Sequence, residues 1–65
     1  MNRGVPIPIF ILYPTDSTRL LVLKSQYNRH AMKYNSLYRY LVDHEKEHLT
    51  TILSYLHEQI KHHEQ

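Results

Sequence analysis

The spacing of apolar positions changes along the chain, and each change predicts a different element. Residues 5–13 read VPIPIFILY, apolar almost without a break and closed by Pro14. Such a run, rich in Ile and Phe, predicts a β-strand over 5–13 after a loose terminus at 1–4. From Leu20 the pattern widens. Leu20, Leu23, Tyr27, Ala31 and Tyr34 recur at steps of three and four, the stripe of an amphipathic helix. With Asp16, Ser17 or Thr18 as N-cap, the first helix is expected over 17–33. Asn35 reads as the residue that ends it, and Ser36 as the N-cap of the next. Leu37, Tyr38, Leu41, Val42, Leu49, Ile52, Leu53, Leu56 and Ile60 then keep helical spacing without a glycine or proline. A second helix is expected over 36–62.

The order strand, helix, helix predicts a single small domain over 1–65, α+β but mostly helical. A lone strand leaves its amides and carbonyls unpaired. In a β-strand, Pro6 and Pro8 would place their missing N–H groups on one edge, while Val5, Ile7 and Ile9 keep donors on the other. The expected solution is a homodimer joined by a two-stranded ribbon, with Val5, Ile7, Ile9 and Ile11 at the interface. The expected second helix, about 39 Å long, outruns the first at about 26 Å. That surplus assigns Leu53, Leu56 and Ile60 to the same interface. The alternative is β-β-α: RLLVLK, residues 19–24, read as a second strand forming a hairpin with the first, followed by a long helix.

Composition narrows the class. The 65 residues are 42% hydrophobic and 22% charged, with no cysteine. This suits a small globular chain without disulfides, and a chain so short gains from association. The longest apolar run is far below the ~20 residues of a membrane helix, and no leader pattern frames it. A cytoplasmic protein is expected, in the host cytoplasm if viral, with no membrane partner. Residues 1–42 carry a formal charge of +5 and residues 43–65 carry −3. A basic front and an acidic back suit an anionic partner or contact between copies.

HEKEH, residues 44–48, matches the H-E-x-x-H zinc pattern, in which two imidazoles four apart share a helical face. His30 could supply a third ligand if the helices fold back about Asn35. The surrounding residues are charged, however, so a solvated turn is expected and His44, His48 and His30 remain minor metal candidates. Six histidines, five of them from His44 onward, would add positive charge below about pH 6.5 and push paired copies apart. Catalytic triads, phosphate loops and paired carboxylates are lacking, so neither enzymatic activity nor a cofactor is expected.

Tyr27, Tyr34, Tyr38 and Tyr40 lie among Arg29, Lys33 and Arg39, and Arg19, Arg29 and Lys33 fall opposite the apolar stripe of the first helix. Basic residues interleaved with aromatics can bind nucleic acid. The layout over residues 5–48 also resembles the ribbon-helix-helix architecture of small repressors. That resemblance implies a ribbon in the major groove, with polar side chains at alternate strand positions reading bases. Here neither strand face carries a polar triplet, and the turn between the helices lacks glycine. The first expectation is therefore a non-enzymatic, homodimeric protein-binding regulator or inhibitor of the kind viruses and mobile elements encode. Pro6, Pro8 and Phe10 would grip the partner, and Arg19, Arg29 and Lys33 would steer it to an acidic surface. A DNA-binding regulator is the alternative.

Overall fold

Two helices of nearly equal length fold back on each other, and residues 6–13 run along the seam between them as an extended strap. The computed structural model of the protein describes residues 6–64. Helix α1 spans Thr18–Leu37 and helix α2 spans Asp43–His63, joined by a single 3-10 turn at Tyr38–Tyr40. No β-strand or sheet forms among the described residues. The α+β expectation, strand over 5–13 included, is thus replaced by a helical hairpin. The β-β-α alternative falls with it, because residues 19–24 lie wholly inside α1.

Of the three N-cap candidates for α1, Ser17 serves. Its hydroxyl accepts the Leu20 amide at 3.2 Å and satisfies one of the orphan donors of the first turn. The helix does not stop at Lys33. Asn35 sits inside it, its side chain engaged by the strap rather than capping, and Ser36 starts nothing. The chain reverses instead over 38–42, where Tyr34 packs on Tyr38 and the Lys46 ammonium lies 4.2 Å above the Tyr38 ring. Leu41 and Val42 are extended. Glu45, the second residue of HEKEH, is in the first turn of α2. Its carboxylate accepts the Val42 amide at 3.4 Å, and negative charge there suits the helix dipole.

These boundaries remove the length mismatch. At 20 and 21 residues, both helices are about 30 Å long, so α2 has no surplus to cover. Leu53, Leu56 and Ile60 join Leu20, Tyr27 and Ala31 in one buried cluster, with Ile7, Phe10, Leu23 and Ile52 packed around it. The residues assigned to a dimer interface on α2 are therefore core of the single chain. Leu20, Leu23, Tyr27 and Ala31 of the first stripe and Ile52, Leu53, Leu56 and Ile60 of the second face this core, whereas Leu37 and Val42, assigned to the second stripe, lie outside α2 and are exposed.

Candidate functional site

The feature with most chemical content is the strap, residues 6–13, and the side chains of α1 that hold it. Asn28 and Asn35 are seven apart on α1, two turns or about 10.5 Å along one face. Asn35 Oδ1 accepts the Ile7 amide at 2.8 Å while its Nδ2 donates to the Ile7 carbonyl at 3.0 Å. Asn28 does the same for Phe10, at 2.8 and 2.9 Å. The strap runs antiparallel to α1, and three residues of extended, polyproline-like chain cover about 9.3 Å, close to the Asn–Asn spacing. Continuing the repeat of three, the Tyr13 amide donates to Asp16 Oδ2 at 3.0 Å.

This repeat of three is what the two-residue strand reading missed. In a β-strand the amides of Ile7 and Phe10 would leave opposite edges; here both face α1. Pro6 and Pro8 flank Ile7, where no donor is needed, and both are exposed. The first two side chains of the repeat follow the same period, whereas Tyr13 does not. Ile7 and Phe10 turn inward onto the core. Ile9, Ile11, Leu12 and Tyr13 remain 52%, 66%, 46% and 51% exposed. The expected face of Ile7, Ile9 and Ile11 is thereby split, and Val5 lies outside the described residues. Phe10 is also unavailable to a partner on the Pro6–Pro8 face. Its ring meets Tyr27 edge-on at 4.8 Å and His57 at 5.9 Å, in the seam between the helices.

Lys24 closes the lower end of the strap. It stands four residues after Leu20 in the apolar stripe and is only 1% exposed. A buried ammonium is tolerable only if its donors are used. Lys24 Nζ donates to Asp16 Oδ2 at 2.8 Å and to the Ile11 carbonyl at 3.0 Å. It also lies 3.7 Å from Glu64 and 4.9 Å from the centre of the Tyr13 ring. One cation thus ties the strap, the turn, α1 and the end of α2 together. Pro14 occupies the second position of that turn, whose closing bond runs from the Asp16 amide to the Tyr13 carbonyl at 3.0 Å.

The hydrogen bond from Lys24, then that from the Tyr13 amide, hold the Asp16 carboxyl below its ordinary 3.8, with burial opposing them. Asp16 in turn holds Lys24 above its ordinary 10.5, again against burial. Burial alone raises Tyr27 above 10.0. A depressed carboxyl stabilises the fold above its unfolded value and loses that contribution as pH falls through its folded value. Raised Lys24 and Tyr27 stabilise below their unfolded values, and that contribution is lost as pH rises through their folded ones. Melting temperature should therefore drop below about pH 4 and again above about pH 10. Asp16→Asn should melt lower than the parent at neutral pH and lose less on acidification. Circular dichroism melts across the range check this; parallel acid limbs would remove Asp16 from the account.

The other predicted residues are scattered. Arg19, Arg29 and Lys33 are exposed on α1. Arg29 and His30 border a shallow depression with Thr18, Val22 and Gln26. Lys33 borders a different one with Leu41, His44, Glu45 and His48. His30 Nδ1 donates to the Gln26 carbonyl at 2.8 Å, and His30 borders a different depression from His44 and His48. Among the described residues, no three histidine, aspartate or glutamate side chains gather as a metal cluster. Among the described residues, no helix is long and apolar enough to cross a membrane. No protein-family model, curated protein or solved structure matches this chain.

Proposed function

We propose that the chain is a non-catalytic, homodimeric protein-binding regulator whose contact surface is the outward face of the strap. One observation carries this reading. Ile9, Ile11, Leu12 and Tyr13 each leave about half or more of a large side chain in solvent, an apolar ridge along a segment whose backbone is fixed every third residue. Large apolar side chains exposed together mark an interaction surface, and fixing their backbone beforehand lowers the entropy cost of association. A second copy supplies the same ridge about a twofold axis. Backbone pairing of two strands plays no part in this contact.

The test is mass in solution by light scattering, for the parent and for Ile9→Asp with Ile11→Asp. Both side chains are more than half exposed, so the double variant should keep its helical signal and run as a monomer where the parent is a dimer. A parent that stays monomeric at millimolar concentration, or a variant that stays dimeric, rejects the reading.

A second reading, nucleic-acid binding, rests on α1 and the turn that follows it. Residues 17–42 include Arg19, Arg29 and Lys33, all exposed, and no carboxylate. DNA affinity falling steeply with salt would support it, with a slope reduced by about one for each of these cations replaced.

A further inference from the structure

We propose that the seam between α1 and α2 is a receptor for an extended, uncharged peptide, and that the strap is its exchangeable resident. The occupant is the same segment of a second copy. This inference concerns the inward face of the strap and stands apart from the ridge.

The bonding is of a kind that any suitable peptide could satisfy. Asn28 and Asn35 each donate one hydrogen bond and accept one, and both bonds go to the main chain of a single strap residue. Any residue other than proline presents that pair of groups. Lys24 adds a third main-chain contact at the Ile11 carbonyl. Selectivity then comes from two inward side chains three apart. Ile7 sits beside Tyr27, Leu53 and His57, along a cleft of about 350 Å³. Phe10 fills the gap between Tyr27 and His57. The fitting sequence is thus an apolar residue followed three later by an aromatic one. The two positions between them, Pro8 and Ile9, are exposed and unconstrained.

Nothing in this contact uses the backbone of either helix. The strap could leave without breaking a helical hydrogen bond, and the asparagine amides would then turn to water. The strap is also uncharged from Gly4 to Thr15, so no ion pair is lost until Asp16, which belongs to the turn. Each copy carries both the seam and a segment that fits it. In the intact chain the tether holds the strap at an effective concentration in the millimolar range, which masks the site from a free peptide. Loosening the strap should unmask it.

The probe is a labelled synthetic peptide of residues 5–14, VPIPIFILYP, titrated by fluorescence anisotropy into full-length protein. The intact chain should bind it weakly. Phe10→Ala, which weakens only the tethered strap, should bind it one to one and roughly tenfold more tightly. Adding Asn28→Ala and Asn35→Ala to that variant should return the affinity to the weak level or below. If Phe10→Ala alone lowers helicity, the peptide should restore the circular dichroism signal of the parent. A folded Phe10→Ala chain that ignores the peptide overturns the proposal, as does an unfolded one that the peptide does not rescue. Tight binding that survives loss of both asparagines also overturns it, since the peptide would then be sticking to the ridge.

Discussion

Replacing Asn28 and Asn35 together with alanine is expected to destabilise the fold by about 2 to 3 kcal/mol, although each change makes α1 a better helix. The two effects have opposite signs and known sizes. Asparagine is a poor residue for a helix interior, because its side chain competes for backbone groups; exchange for alanine gains about 0.5 kcal/mol or slightly more per site. Against this stand four hydrogen bonds to Ile7 and Phe10 at 2.8 to 3.0 Å. Each contributes about 0.5 to 1.5 kcal/mol net. The lower half of that range already outweighs the propensity gain. Ser25→Ala, at an exposed position of the same helix without a strap contact, serves as the control and should be neutral or slightly stabilising. Denaturant titration resolves the difference. If the double variant is more stable than the parent, propensity has won and the strap is not held by these amides.

The same pair of asparagines explains where the sequence was legible and where it was not. Helical stripes are repeated signals: Leu20, Tyr27 and Ala31 in α1, and Leu49, Leu53, Leu56 and Ile60 in α2, are buried as their spacing requires. Helix ends depend on single residues, and Asn35 is ambiguous on its own. An asparagine near a helix end can cap it, or it can reach sideways to a neighbouring backbone. The second use prevailed, so α1 continued to Leu37 and the turn moved to 38–42.

For the N-terminal segment the mistake concerned period. A run apolar at nearly every position has no period of its own, and β propensity filled the gap. Its backbone partners are side chains of α1, which a pattern of apolar positions does not display. The signals were present: two asparagines seven apart within one helical pattern, and a lysine inside an apolar stripe with an aspartate eight residues before it. Lys24 in particular occupies a core position, where a charge needs a named partner. Asp16 and the Ile11 carbonyl are that partner, and both lie on the strap side.

Leu53→Ala is expected to cost about 3 kcal/mol, and the cost should not depend on protein concentration. Leu53 is almost completely buried, in contact range of the Tyr27 side of α1 and of Ile7 from the strap. Removing a buried leucine side chain loses its transfer free energy and leaves a cavity, typically 2 to 5 kcal/mol together. A domain of this size has roughly 3 to 10 kcal/mol to lose, so the variant should melt far below the parent. Concentration separates the two places Leu53 could act. Were it part of an interface between copies, its contribution would be coupled to association, and the melting difference would change over a hundredfold range of concentration. As core of one chain, it contributes to each copy alone, so parent and variant should shift together or not at all. The exposed ridge is the reverse case. Ile9→Asp with Ile11→Asp should leave the melt of the isolated chain nearly unchanged and act only where copies meet. Core and contact surface are then separated by the threefold turn of the strap, which sends Ile7 and Phe10 into the hairpin and Ile9 and Ile11 away from it.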